Sequence, residues 1–222
     1  LEFVLLAEES GAILDIGDWV LRTACAQAVH WDLGASPGLV GLSMAVNVSV
    51  RQLAEPDFVQ DVLAALSSAG LDPHRLVLEV TESVLLTTTG ADDVLVGRLR
   101  ELRAVGVRVA VDDFGTGYSS LAYLQHMPVD ILKIDKSFVD ALHTSEGAAL
   151  AEGILAISDA LGFETVAEGI EQPDQAAVLR RLRCPVGQGW LYSRALDPAA
   201  LETLLGTLSE QQRELTVLAA RS

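Results

Sequence analysis

Short apolar runs alternate along the chain with longer segments in which apolar residues recur at helical spacing. This alternation predicts βαβ units and a parallel sheet covered on both faces, because the strands read as almost continuous apolar runs. The predicted strands are 39–49, 75–82, 107–113, 131–135, 164–169 and 184–189. The predicted helices between them are 56–70, 92–106, 119–127, 146–162 and 173–183, with long amphipathic helices at 16–31 and 198–220.

Each predicted strand ends in a polar residue of a type that binds metals or moves protons. In chain order these residues are Asn47, Glu79, Asp112 with Asp113, Lys133, Glu168 and Gln188. Carboxyl ends of parallel strands meet on one face, and in a (β/α)8 barrel that face contains the active site. In an open doubly wound sheet only the switch point gathers ligands in this way. The even distribution over the strands therefore favours a barrel.

The residue types at these strand ends indicate a chemistry. Amide and carboxylate oxygens without His or Cys are suited to hard cations such as Mg²⁺ or Mn²⁺. Adjacent aspartate side chains diverge in a strand, so one could bridge two metals while the next reaches only the second. Two such ions can hold the attacking and leaving oxygens of a phosphodiester, and a nearby lysine could orient or help deprotonate the water.

Each of these residues also has a purely structural interpretation when it is taken alone. The pair Asp112–Asp113 could form a solvated turn or cap a helix. Lys133 could lie on the surface of an edge strand, Asn47 could cap the next turn, and Glu168 could sit in an ordinary loop. Gln188 between two glycines is the weakest assignment. The metal interpretation rests on the set as a whole.

Charge and composition narrow the range of partners. The 222 residues include 15 basic and 31 acidic side chains and have a net charge of −16, which argues against binding a nucleic-acid polymer or an anionic membrane surface. No apolar run approaches the ~20 residues of a membrane span, and no signal peptide is evident. We therefore expect a soluble, cytoplasmic protein. The chain starts at Leu1 inside a helical pattern, so we also expect natural sequence upstream.

Seven stretches together resemble the EAL-domain family of bacterial cyclic di-GMP phosphodiesterases, in the family's order and with similar spacing over almost the whole chain. They are LAEESG (6–11), AVNVSVRQL (45–53), LEVTES (78–83), VDDFGTGYSSL (111–121), ILKIDKSFV (131–139), VAEGIE (166–171) and GQGWLYSR (187–194). As a group they are highly specific, although any one of them alone would be weak.

The resemblance implies an α/β fold, a TIM-type (β/α)8 barrel with one antiparallel strand, whose first two strands are missing from these residues. It implies one EAL-type domain over 1–222, with a C-terminal helical tail at 207–222. It also implies hydrolysis of cyclic di-GMP to linear pGpG with two Mg²⁺ or Mn²⁺ ions. A homodimer through the loop after Asp113 and the following helix, and an upstream sensory or GGDEF-type domain, would be partners of this family.

The resemblance also assigns roles by position. Asn47 and Glu79 match ligands of the first metal, Asp112 matches the bridge between the metals, and Asp113 and Glu168 match ligands of the second. The remaining assignments are Lys133 to the attacking water, Gln188 to the substrate or nucleophile, and Glu82 to the anchor of the loop that contains Phe114, Gly115, Thr116 and Gly117.

One departure from the family keeps a second function open. The Glu-Ala-Leu tripeptide that names the family does not occur in these residues, and its Glu would be one metal ligand. Either the 222 residues are a trimmed part of a complete domain, which the absence of an initiating Met favours, or the domain is degenerate. A degenerate domain would be a non-hydrolysing cyclic di-GMP receptor or a regulatory, dimerising module. A different barrel enzyme that forms enolates explains the carboxylates but not the DFGTGYSS loop.

Overall fold

Six parallel strands form one sheet, and their order across the sheet is their order along the chain. The computed structural model describes residues 2–33, 41–82, 94–115, 124 and 127–219. The strands are β1 (Met44–Asn47), β2 (Leu76–Thr81), β3 (Arg108–Phe114), β4 (Ile131–Ile134), β5 (Glu164–Ala167) and β6 (Val186–Gly187). An order without reversal is that of a barrel wall, since a doubly wound sheet reverses at its switch point.

Nine α-helices occur in the part of the chain that the structure describes. They are α1 (Glu2–Ser10), α2 (Ile13–Leu33), α3 (Val50–Ala54), α4 (Phe58–Ala69), α5 (Val94–Ala104), α6 (Lys136–Asp140), α7 (Ser145–Leu161), α8 (Pro173–Arg181) and α9 (Pro198–Ala219). The strand–helix alternation predicted from the sequence is thus confirmed. The helix predicted at 119–127 lies almost entirely outside the described residues. None of the helices in these ranges is long and apolar enough to cross a membrane.

The ends of the elements follow local chemistry where a special residue is present. Gly70 and Gly162 end α4 and α7 in the left-handed conformation, with φ of 72° and 76°, as expected of glycine after a helix. The strands β1 and β6 are shorter than predicted, at four and two residues. The strand β6 pairs with β5 at only two positions, which limits its length.

The two faces of the sheet bury different residues. Leu78, Val80 and Leu132 lie on the outer face, in the large core shared with the helices. The inner face contains a small apolar cluster of Val77, Ala110 and Ile131, with Val166 packed against it. Side chains two positions further along a strand point to the same face. Four charged residues lie two positions after the members of this apolar cluster and therefore belong to the same inner face. They are Glu79, Asp112, Lys133 and Glu168.

All five strand pairs among the described residues are parallel. The antiparallel strand that the resemblance implies is therefore not one of the six. Six strands in sequential order agree with part of a (β/α) barrel, which confirms the predicted α/β fold class. The domain bounds 1–222 and the helical tail at 207–222 stay predictions.

Loss of one outer-face leucine should cost far more stability than loss of an exposed one. Leu78 is 1% exposed in the centre of β2, whereas Leu150 on α7 is 54% exposed. We expect Leu78→Ala to lower the free energy of unfolding by about 2–5 kcal/mol, because it leaves a cavity. Leu150→Ala should change it by less than about 0.5 kcal/mol. Urea unfolding followed by circular dichroism measures both, and equal effects would contradict the assigned core.

Candidate metal centre

The ammonium group of Lys133 contacts three carboxylates from three other strand ends. Its Nζ lies 2.9 Å from Oε2 of Glu79, 2.9 Å from Oδ1 of Asp112 and 2.7 Å from Oε1 of Glu168. Lys133 is only 4% exposed, and Glu79 is 9% exposed. Four of the residues singled out in the sequence therefore meet at one buried point on the inner face of the sheet.

Strand register explains why these residues meet. Asn47 on β1 is the partner of Glu79 on β2, and Glu79 in turn is the partner of Ala110, two residues before Asp112. Lys133 is the partner of Val166, two residues before Glu168. The backbone N–H of Glu168 continues the β4–β5 pairing by donating to the carbonyl of Ile134 at 3.0 Å. Each side chain is thus at or next to the carboxyl end of its strand.

An irregularity in β3 brings both aspartates to the site. The pairing of β3 with β4 shifts between Val111 and Phe114, so that three steps along β3 match two along β4. Asp113 has a φ of 54°, which is the left-handed region that Asp tolerates better than most residues. A bulge of this kind re-aims a side chain that would otherwise point to the opposite face. Each of the two adjacent aspartates can therefore offer an oxygen to the same small region.

Oxygen ligands for a hard cation are close together here. Asp112, Asp113 and Glu168 can each offer one carboxylate oxygen, and these atoms lie within 4.8 Å of one another. This is the one group of three or more His, Cys, Asp or Glu residues with such spacing in the ranges that the structure describes. Contact with Lys133 does not exhaust these carboxylates, since each has two oxygens and several lone pairs. The donor set fits Mg²⁺ or Mn²⁺.

The charges at the site influence one another. Burial opposes the charge of Lys133, but the contacts with Glu168, Glu79 and Asp112 outweigh burial and raise the pKa of the ammonium above its ordinary value. Burial raises the pKa of Glu168 to about 7, although the contact with Lys133 acts in the opposite direction. Burial, followed by repulsion from Asp112, also raises the pKa of Asp113. The acidic residues outnumber the ammonium, which is the situation that a bound cation would relieve.

Asn47 and Gln188 lie at the two ends of the row of strand ends. Asn47 is exposed at the end of β1, and the N–H of the next residue, Val48, donates to the carbonyl of Glu79 at 2.8 Å. Gln188 is exposed just after β6, where its N–H donates to the carbonyl of Ala167 at 2.8 Å. Both residues are thus fixed by backbone pairing to a strand beside the acidic cluster.

Glu82 contacts the segment that follows the two aspartates. It is 3% exposed, and its Oε2 accepts a hydrogen bond from the N–H of Gly115 at 2.7 Å. Gly115 has a φ of 96°, and a Cβ there would lie 2.5 Å from the ring of Phe138. Phe114 is buried in the core at 8% exposure. Thr116 and Gly117, predicted to continue this loop, lie outside the described residues.

An open pocket of about 670 Å³ adjoins the acidic cluster and reveals residues that the sequence reasoning missed. Asp113, Glu168 and Gln188 line it. So do Asp135, Lys136, Trp190 and Arg194. The guanidinium of Arg194 lies 4.2 Å from the centre of the Trp190 ring, which is a cation–π contact. The only sequence signal was their position inside two of the family-like stretches.

The similarity of the chain to known proteins agrees with this geometry. Residues 1–195 match the family described as the EAL domain. The chain belongs to this family. A curated relative named cyclic di-GMP phosphodiesterase NbdA, from Pseudomonas aeruginosa, is 44% identical over 204 residues, which are 91% of this chain and 25% of that protein. The family assignment made from the sequence is thus confirmed.

Two solved structures of EAL proteins share the fold. The PaMucR phosphodiesterase, in complex with c-di-GMP, has a TM-score of 0.82 and 41% identity over 90% of this chain and 79% of that one. Klebsiella pneumoniae BlrP1, in a manganese and cyclic di-GMP complex, has a TM-score of 0.71 and 30% identity over 82% of this chain and 44% of that one. The chain spans about a quarter of the length of the curated relatives it matches.

Removing the ammonium at the centre of the carboxylates should destabilise the protein strongly in the absence of divalent cations. We expect Lys133→Met to lower the free energy of unfolding by about 3–5 kcal/mol, because buried carboxylates lose their partner. Lys136→Met is the matched control, since Lys136 also contacts two carboxylates but its side chain is 44% exposed. Its loss should cost less than about 1 kcal/mol.

The free energy of unfolding of both lysine variants is measured by chemical denaturation in the presence of EDTA. If they lost the same stability, Lys133 would not be compensating a buried charge cluster.

Proposed function

We propose that this protein hydrolyses cyclic di-GMP to linear pGpG with two Mg²⁺ or Mn²⁺ ions. The observation that supports this most directly is the meeting of Glu79, Asp112 and Glu168 around Lys133 at the ends of neighbouring strands. An acidic protein that acts on a dianionic substrate needs cations at the site, and this donor set fits them. The names of the EAL relatives and the bound nucleotide in PaMucR support the choice of substrate.

The proposed ligands divide between two ions. Asn47 and Glu79 would hold the first ion, Asp113 and Glu168 would hold the second, and Asp112 would be shared by both. The strand register supports Asn47 and Glu79 as ligands of one ion, since they are direct partners on β1 and β2. The short spacing of Asp112, Asp113 and Glu168 supports the second set. Bound ions of this kind lower the pKa of a water and stabilise charge on the phosphate oxygens.

Lys133 acts as a hydrogen-bond donor in this proposal. Its Nζ lies where Glu79, Asp112 and Glu168 meet, so its N–H groups are placed to orient the attacking water or a phosphate oxygen. Gln188, which lines the adjoining pocket, contacts the substrate or the nucleophile. Arg194 and Lys136 line the same pocket and provide positive charge for the phosphates of the substrate.

The regulatory parts of the proposal concern the segment after Asp113. Glu82 anchors this segment through Gly115, and the segment from Phe114 to Gly117 links the metal centre to a homodimer interface formed with the following helix. An upstream sensory or GGDEF-type domain would control the activity, in keeping with the greater length of the relatives. We place this activity in the bacterial cytoplasm.

The second candidate is a receptor or regulatory module that binds cyclic di-GMP without cleaving it. The specific observation in its favour is the absence of the Glu-Ala-Leu tripeptide from the 222 residues. In a domain without that Glu, one ion would lack a carboxylate ligand. Calorimetry that detects binding of cyclic di-GMP to the natural full-length protein, without any pGpG by chromatography, would favour this candidate.

Turnover by the natural full-length protein should depend on Asp112. With cyclic di-GMP and Mn²⁺, we expect pGpG to form and Asp112→Asn to lower kcat by more than about 100-fold. Loss of an outer-shell partner typically costs 10–100-fold, and a bridging ligand should cost more. Asp159→Asn, at an exposed position on α7, should retain the full rate. A folded wild-type protein without turnover would reject the enzyme, and an active Asp112→Asn would reject the bridging role.

Metal binding should be visible in stability as well as in activity. Mn²⁺ at about 100 times its Kd should raise the free energy of unfolding by about 2.7 kcal/mol, because the ion binds only the folded chain. We expect the melting temperature of the wild-type chain to rise with Mn²⁺ and to fall again with EDTA. Asp112→Asn should show a much smaller rise, whereas Asp159→Asn should behave like the wild type. No rise in the wild type would contradict the metal centre.

A further inference from the structure

The short helix α3 follows directly after Asn47, and its first turn is held by an unusual set of contacts. Ser49 caps the helix, and its Oγ accepts a hydrogen bond from the N–H of Gln52 at 3.2 Å. In return, Oε1 of Gln52 accepts from both the N–H and the hydroxyl of Ser49, each at 3.1 Å. This is a reciprocal capping box, which fixes the conformation of the chain as it enters the helix.

The capping box begins only two residues after Asn47. Between them, Val48 is buried at 6% exposure and donates its N–H to the carbonyl of Glu79 at 2.8 Å. The backbone at Asn47 is therefore held by the pairing of β1 with β2. The residues that follow are held by the hydrogen bond of Val48 and by the Ser49–Gln52 capping box. The same short segment holds Asn47 beside Glu79, its partner in the parallel register.

The side chain of Gln52 is itself held by helix α2. Gln52 is 8% exposed, which is low for a polar residue in a five-residue helix. Gly17 of α2 lies against it so closely that a Cβ on Gly17 would be 1.8 Å from Nε2 of Gln52 and 2.4 Å from its Cδ. Any larger residue at position 17 would force Gln52 out of its position. The glycine thus lets α2 confine the amide that completes the capping box.

We propose that Gln52 and Gly17 are positioning residues for the metal site, which act through Asn47. Gly17 allows α2 to hold the amide of Gln52, Gln52 fixes Ser49, and Ser49 fixes the chain segment that presents Asn47 next to Glu79. This inference rests on the proposed role of Asn47 as a ligand of the first ion. It adds that metal affinity depends on a contact with helix α2 that reaches no ion directly.

Mn²⁺ titration of the natural full-length protein, followed by electron paramagnetic resonance of the free ion, tests the inference. Gln52→Met keeps the length of the side chain but removes the acceptor oxygen, and we expect it to weaken one of the two Mn²⁺ binding steps, the same step that Asn47→Ala weakens, about 10–100-fold. Gly17→Ala should weaken binding in the same direction, because it displaces Gln52 from the opposite side. Circular dichroism checks that each variant is folded.

A matched control separates positioning from general loss of a helix cap. Thr144 caps α7 by accepting from the N–H of Gly147 at 3.0 Å, and it is not adjacent to a strand end. Thr144→Ala should lower the melting temperature to a similar extent as Gln52→Met but leave the Kd for Mn²⁺ unchanged. If both variants weakened Mn²⁺ binding equally, Gln52 would be only a structural cap.

A double-mutant cycle with Asn47→Ala tests the route of the effect. If Gln52 acts through Asn47, the double variant Asn47→Ala with Gln52→Met should bind Mn²⁺ no more weakly than Asn47→Ala alone. Additive losses would overturn the inference, as would a Gln52→Met variant with unchanged affinity. Wild-type chain that binds no Mn²⁺ would instead reject the proposed metal centre itself, so the two failures are distinguishable.

Discussion

Repulsion among carboxylates is the constraint on which this site depends. Glu79, Asp112 and Glu168 converge on a largely buried point where water screens them only weakly, and the ammonium of Lys133 lies within 2.7–2.9 Å of all three. One positive charge does not balance three negative ones, and burial, with a smaller contribution from repulsion by Asp112, raises the pKa of Glu168. An excess of carboxylates of this kind attracts further positive charge. The proposed function follows from that deficit.

The inner face of the sheet has two layers of side chains, one apolar and one charged. The lower layer, Val77, Ala110, Ile131 and Val166, is apolar and fills the interior. The residues two positions further along the same strands, including Glu79 and Lys133, are charged and point to the same face. Hydrogen-bonded register holds the two layers together, so the polar side chains do not need their own packing to stay in place. On each strand, an apolar residue of the inner face contributes to stability, and the charged residue two positions later belongs to the site.

Departures from regular structure occur at the places where the site requires them. The bulge in β3 and the left-handed Asp113 bring two adjacent acids to one side of the sheet. Such a conformation is unfavourable for most residues, and Glu82 contributes to holding it by accepting a hydrogen bond from Gly115 two residues later. At β1, a helix cap and a glycine contact perform the corresponding task for Asn47. Regular strands bring these polar side chains near one another, and the local irregularities fix the chain beside them.

The sequence by itself determined the element order, the parallel sheet, the left-handed glycines after helices and the set of polar residues at strand ends. These are properties of local patterns: periodicity, turn chemistry and spacing along the chain. Tertiary structure decided the rest, including the convergence of Asp113 with Asp112, the three partners of Lys133, the pocket that Arg194 and Trp190 line, and the contact of Gly17 with Gln52. Each of these depends on strand register or on the approach of two helices distant in sequence, and no local pattern encodes those distances.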